Sequence, residues 1–103
     1  MSDSTGTIEI TTKHMKGSVA QEAFNPIIEI DGEPHVAQWG ANTFTVAPGH
    51  HTLKAYHRWL MFPQAYASST DVDVAAGETV RLEWRTGGAV FSHGKWSMLP
   101  AES

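Results

Sequence analysis

The chain of 103 residues contains no cysteine, so disulfide bonds, Cys-based zinc sites and thiol nucleophiles are excluded. Its longest apolar run, residues 59–63, is far shorter than the roughly 20 residues that a membrane-spanning helix needs. Residues 1–10 lack the basic and apolar regions of a secretory signal. We therefore expect a cytoplasmic location, with membrane association as the open alternative.

Positive charge is also sparse. The seven Lys and Arg residues are outnumbered by eleven Asp and Glu residues, which gives a formal net charge of −4. The basic residues are scattered along the chain and form no block that could neutralise a run of phosphates. We expect no nucleic-acid partner.

Short segments of alternating apolar and polar residues dominate the sequence, and this period of two is typical of half-buried β-strands. Turn residues separate them, as in Asp31-Gly32 and Pro48-Gly49, where glycine accepts a positive φ. The only helix candidate, residues 13–23, is interrupted by Gly17. The predicted strands are residues 7–12, 26–31, 35–39, 42–47, 50–59, 71–74 and 79–85, with a short edge strand near 89–91.

This pattern predicts an all-β fold, a single domain over residues 7–99 built as an antiparallel β-sandwich of about seven strands. Residues 1–6 and 100–103 are expected to be flexible ends. The predicted core consists of the residues on the apolar phase of each strand. They are Ile8, Ile10, Ile28, Ile30, Phe44, Val46, Leu53, Ala55, Val72, Val74, Val80, Leu82 and Trp84.

Residues 27–84 resemble small β-sandwich domains of the PEGA and transthyretin-like kind. The similar pieces are IIEIDGEP, WGANTFTVAPGHHTLKAYHRW and DVDVAAGETVRLEW, although APGH stands where a PEGA domain has its namesake residues. The whole order, including GAVFSHGKW, is similar to uncharacterised actinobacterial proteins. The resemblance implies an Ig-like sandwich and a non-catalytic accessory or interaction role, often beside a membrane.

The six histidines raise a metal hypothesis, which strand geometry opposes. Neighbours on a strand face opposite ways, so His50 and His51 would not share an ion. His51 and His57 share a face but lie about 20 Å apart by strand rise. We expect no metal and no other cofactor.

Catalytic motifs are equally weak. Asp71 and Asp73 share one strand face, where a solvated surface, opposite Arg81 and Arg85, is favoured over a carboxylate pair of the glycosidase kind. Ser92 and His93 are adjacent, and adjacent side chains on an extended chain are expected to point apart. The sequence also contains no nucleophile elbow. We expect no enzyme activity.

Bulky apolar residues at predicted loop positions are the main functional signal. The candidate partner-binding residues are Trp59, Leu60, Met61, Phe62, Phe91 and Trp96, the last two in the final loop. They either cap the ends of the sandwich or form an exposed contact patch. The sequence thus favours a non-catalytic interaction or membrane-proximal module that binds a protein partner, or itself, through this apolar loop or an edge strand. The alternative is a carbohydrate- or metal-binding domain that uses Trp39, Trp59, Trp96 and nearby histidines.

Overall fold

The computed structural model describes residues 4–13, 25–59, 62–86 and 94–99, and for residues 58–59 and 62–66 it describes the backbone only. The described residues form eight β-strands and no helix. The strands are β1 (Gly6–Lys13), β2 (Pro26–Ile30), β3 (Glu33–Val36), β4 (Gly40–Val46), β5 (Gly49–Trp59), β6 (Phe62–Val74), β7 (Thr79–Arg85) and β8 (Lys95–Met98).

The strands form two four-stranded sheets that pack as a β-sandwich. One sheet has the order β4-β1-β7-β8 and the other has the order β3-β2-β5-β6. All pairs are antiparallel except β1 with β7, which run parallel. The all-β sandwich is confirmed, with eight strands in place of seven and with one parallel pair, β1 with β7, where only antiparallel pairs were predicted. No helix in the described part of the chain has the length and apolarity to cross a membrane.

The largest correction concerns the β5–β6 hairpin. The sequence predicts a loop after residue 59 and a strand only from residue 71, whereas β6 begins at Phe62 and its first residue pairs with Trp59. Residues 62–70 contain few apolar side chains at alternating positions, so the period-two signal is weak there. Two register shifts interrupt the pairing near His57. The predicted edge strand at 89–91 lies outside the described residues.

The predicted Asp31-Gly32 turn between β2 and β3 is confirmed, although β3 spans Glu33–Val36 and not residues 35–39. Asp31 and Gly32 have φ values of 52° and 86°, so both central residues are left-handed. A type I′ turn requires this geometry, because its twist matches that of the flanking strands. Aspartate tolerates the left-handed region through local side-chain hydrogen bonds, and glycine has no Cβ to clash.

The predicted core is confirmed in composition. Ten of its thirteen residues are buried, and Ile30, Phe44 and Val46 are half-buried against them. The sequence did not place Ala37 or Trp39 there. Ala37 is buried, and the Trp39 ring stacks on the fully buried Trp84 at 6.3 Å between centroids. Gly6 lies so close to Val74 that a Cβ on Gly6 would clash with the Val74 side chain.

The predicted pairing of Asp71 and Asp73 with arginines is wrong, because these aspartates and the arginines belong to different sheets. Arg81 Nε instead donates to Glu9 Oε1 at 2.9 Å, and the two residues are directly opposed in the β1–β7 pairing. His50 Nδ1 lies 2.9 Å from Asp73 on the neighbouring strand.

Leu82→Ala should destabilise the protein by about 2–5 kcal/mol, because the substitution loses buried apolar contacts and leaves a cavity. Leu82 is only 1% exposed. Arg85→Ala in the same strand is the control, since the Arg85 side chain is 59% exposed and its ion pair with Glu83 is worth under about 1 kcal/mol. Urea unfolding measures both, and equal losses would contradict the observed facing of β7.

Candidate functional site: the open edge of strand β4

Four strands form the edges of the two described sheets. These are β4 and β8 in one sheet and β3 and β6 in the other. An edge strand presents unpaired backbone N–H and C=O groups, which makes it a template for another chain. The chemistry of each edge therefore decides where a partner strand can add.

The hydrogen bonds of β1 determine which groups of β4 face outward. Thr7 N donates to Glu78 O, and Lys13 O accepts from Thr86 N, so the odd-numbered residues of β1 face β7. Its even-numbered residues must then face β4, because backbone groups alternate in direction along a strand. The opposing residues in β4 are also even-numbered, since Ile8 pairs with Phe44 and Ile10 with Asn42.

The odd-numbered residues of β4 consequently direct their backbone groups toward the open edge. Ala41 O is covered, because the Gln38 side chain donates to it at 3.1 Å. The N–H and C=O groups of Thr43 and Thr45 have no hydrogen-bond partner within the described residues. They form a row of four available backbone groups, which we call the open edge.

The other described edges carry features that oppose strand addition. Ala37 N donates to Pro26 O, so by the same alternation β3 directs Pro34 outward, where the missing N–H removes a donor. β6 carries Asp71, Asp73 and two register shifts, and β8 has four residues including Lys95. Charge, proline and irregularity are the usual means by which proteins block edges.

β4 has none of these blocking features. Its sequence, GANTFTV, contains no charged residue and no proline over seven positions. Thr43 and Thr45 expose their side chains on the outer face, while Phe44 and Val46 are half-buried on the inner face. Threonine, valine and phenylalanine all favour the extended conformation. Among the described edges, β4 is therefore the one best suited to accept another strand.

A groove of about 550 Å³ runs beside the open edge, between β4 and the β2–β3 hairpin. One wall is formed by residues 43–47, and the other by Ile30, Asp31, Glu33, His35 and His51. The Phe44 and His35 rings meet across it with centroids 5.4 Å apart. Its volume lies in the range of pockets that hold several side chains or a small ligand, about 300–1,000 Å³.

His51 holds one end of the groove together. Its Nδ1 lies 2.6 Å from Asp31 Oδ2, and its Nε2 lies 2.6 Å from Ala47 O. Neutral histidine has one N–H, so only the imidazolium can donate both bonds. Asp31 Oδ1 also accepts from Thr52 N at 2.9 Å. These contacts, which we call the His51 clamp, join the β2–β3 turn to the segment between β4 and β5.

The clamp shifts the titration of both partners. The hydrogen bond to Asp31, with that to the Ala47 carbonyl, raises the pKa of His51 although burial opposes it. The His51 hydrogen bond, with that from the Thr52 amide, lowers the pKa of Asp31. Both shifts favour the ion pair. With both ring nitrogens bonded, His51 has no lone pair directed at a substrate.

The other histidines are separated as strand geometry requires. The His50 side chain is 60% exposed while that of its neighbour His51 is 10% exposed, which confirms that they face opposite ways. His57 is fully buried and meets the Trp39 ring edge-on. Within the described residues, no three histidines or carboxylates lie close enough together to hold a metal ion.

Of the six predicted partner-binding residues, only Trp96 has a described side chain. Trp96 lies in β8 and not in a loop, half-buried against the core, and its Nε1 donates to Ser68 O at 3.2 Å. Trp59 and Phe62 end the paired part of the β5–β6 hairpin, and their side chains are not described. Leu60, Met61 and Phe91 lie outside the described residues. Partner binding by these residues stays a prediction.

The sequence predicts an edge strand as one alternative for partner binding but does not identify β4, and it gives no indication of the clamp. One available signal was the absence of charge and proline from residues 40–46, which is unusual for a strand at an edge. That signal becomes useful only when the strand order is known. His51 carried no motif, because its partners Asp31 and Ala47 come from two separate turns.

No protein-family model matches the chain, and no curated protein sequence matches it either. The resemblance to PEGA and transthyretin-like domains therefore stays a prediction, and the function has to be argued from the site itself.

The clamp predicts how stability depends on pH. A raised His51 pKa stabilises the fold fully below the ordinary value of 6.5, and the contribution is lost as pH rises through the folded value. The lowered Asp31 pKa contributes above 3.8 and is lost as pH falls through the folded value. The clamp should therefore stabilise most between pH 3.8 and 6.5.

Thermal unfolding from about pH 2 to about pH 9, a range that covers both titrations, checks this expectation. His51→Gln should reduce the fall in melting temperature above neutral pH, since glutamine does not titrate. His50→Gln is the control, because this neighbour is exposed on the opposite face. A His51→Gln profile parallel to that of the wild type would show that the clamp does not control the pH dependence.

Proposed function

We propose that the protein is a non-catalytic interaction module that accepts an extended segment of a protein partner as an added strand along β4. The observation that carries this proposal is the pairing of an open edge with a groove. The backbone groups of Thr43 and Thr45 supply hydrogen bonds that any extended chain can use. The groove beside them receives alternate side chains, which is the usual division of roles in strand addition.

The energies of the two contributions indicate that binding needs both the backbone hydrogen bonds and the groove contacts. A backbone hydrogen bond contributes about 1 kcal/mol net, so four bonds only match the lower estimates of the cost of association, about 4 kcal/mol. Burying one large apolar side chain adds about 1.5–3 kcal/mol. The groove contacts therefore have to supply the net affinity, and with it the choice of partner.

The geometry of β4 favours a partner strand over the apolar loop predicted from the sequence. The backbone of Trp59 pairs with that of Phe62, so both residues belong to the β5–β6 ladder. The small-ligand alternative is less supported, because Trp39 stacks on the core and Trp96 bonds to β6. His51 uses both ring nitrogens within the clamp, which supports a role without catalysis.

Selection from a displayed library of random octapeptides tests the proposal without a known partner. Peptides that bind the wild type should lose at least tenfold in affinity for Thr45→Pro, since proline removes an outward N–H and obstructs the edge. The β1–β4 ladder does not use that N–H, and β3 already carries Pro34 at an outward position. Circular dichroism verifies the fold of the variant.

Thr45→Val is the matched control, because it keeps the backbone groups and the side-chain shape, and it should bind as the wild type does. If Thr45→Pro does not fold, Thr43→Pro makes the same test two residues away. Binding that survives the folded proline variants would contradict strand addition. A wild-type dimer that blocks the library and dissociates on Thr45→Pro would identify a second copy, and not a different protein, as the occupant.

A further inference from the structure

We infer that the added strand carries a lysine or arginine two residues before an aromatic or large aliphatic residue. This inference rests on the proposed strand addition and specifies the chemistry of the segment that the groove selects. It is carried by the order of side chains along the groove and by one carboxylate, that of Glu33, which the clamp does not engage.

The open edge fixes the position of the inserted side chains. Two partner residues, separated by one, pair with the backbones of Thr43 and Thr45. The partner residue between them lies opposite Phe44, and opposed side chains share one face of a sheet. That side chain therefore enters the groove. The next inward position lies opposite Val46, which is also on the inner face.

The position opposite Phe44 is lined by rings. The Phe44 and His35 rings are tilted by 52° with centroids 5.4 Å apart, and half-buried Ile30 lines the same groove. An aromatic or large aliphatic side chain placed here covers apolar surface on both walls. A charged side chain placed here would lose water against the apolar surface of both walls.

The position opposite Val46 lies nearer the acidic end of the groove. The order follows from two contacts: His35 meets Phe44, and the clamp joins Asp31 to Ala47. Glu33 lies between His35 and Asp31 in the chain, so it lines this end.

The two carboxylates at this end are not equivalent. Both oxygens of Asp31 are engaged, one by His51 and the other by the Thr52 amide. The Glu33 side chain is 78% exposed, and its Oε1 lies 3.7 Å from His35 Nε2. A lysine or arginine opposite Val46 can therefore pair with Glu33. An acidic side chain at the same position would be repelled by the Glu33 carboxylate.

An antiparallel arrangement sets the order of the motif. Antiparallel pairs exchange both backbone bonds between directly opposed residues and are slightly more stable than parallel pairs. A partner that runs antiparallel to β4 passes Val46 first and Phe44 next. Its motif is therefore a cation, one outward residue and an apolar residue. The outward residue lies beside the exposed Thr45, where a β-branched side chain is favoured.

Two synthetic octapeptides provide the direct test. Their sequences are Thr-Thr-Arg-Thr-Phe-Thr-Thr-Gly, with both ends blocked, and the same peptide with Glu in place of Arg. Fluorescence anisotropy at low salt should show at least tenfold tighter binding of the Arg peptide, and added salt should narrow the difference. Glu33→Gln should reduce the preference, and Glu33→Lys should reverse it.

Asp71→Asn is the matched control, because Asp71 is also an exposed carboxylate near one histidine, with His50 at 3.8 Å, but it lies on β6. It should leave the preference for the Arg peptide unchanged. Equal binding of both peptides that Thr45→Pro abolishes would overturn the inference and leave strand addition standing. A preference that survives Thr45→Pro would contradict strand addition at β4, and failure of the Arg peptide to bind would overturn the inference.

Discussion

Strand β1 is the element on which the proposed site depends. It lies between β4 and β7, and at its two ends the odd-numbered residues Thr7 and Lys13 hydrogen-bond toward β7. The backbone groups of the even-numbered β4 residues are therefore directed at β1, and those of Thr43 and Thr45 are directed away from it. A shift of one residue in the β1–β4 pairing would exchange the two sets, because backbone direction has a period of two. The open edge is therefore a consequence of sheet register and not of any local motif.

The groove depends on a second constraint, the fixed position of the β2–β3 hairpin relative to β4. These elements belong to different sheets, and the His51 clamp connects them at one end. Asp31 has two roles, since its left-handed backbone forms the turn and its carboxylate anchors both His51 and the Thr52 amide. Because both roles fall on one residue, the shape of the turn and the width of the groove are coupled. A neutral His51 would keep at most one of its two bonds.

Much of the fold could be predicted from the sequence because burial alternates along most strands, and Ile8, Leu53 and Leu82 lie where that alternation places them. The Asp31-Gly32 turn was predictable since few other dipeptides accept two positive φ values. The first half of β6 was not, because its small and polar residues carry no periodic signal. The candidate site was even less predictable from the sequence. It depends on which strands form edges and on contacts between residues from separate turns, and sequence spacing records neither.

The central claim, that β4 presents an unpaired edge that a partner strand covers, is tested most directly by amide hydrogen exchange of single residues, measured by NMR. In the free protein the Phe44 amide should exchange slowly, because it faces β1, while the Thr43 and Thr45 amides should exchange rapidly. Addition of a peptide selected for binding should slow both threonine amides and leave those of β8 unchanged. Slow exchange of the Thr43 and Thr45 amides in the free protein, or rapid exchange that the bound peptide does not alter, would contradict the account.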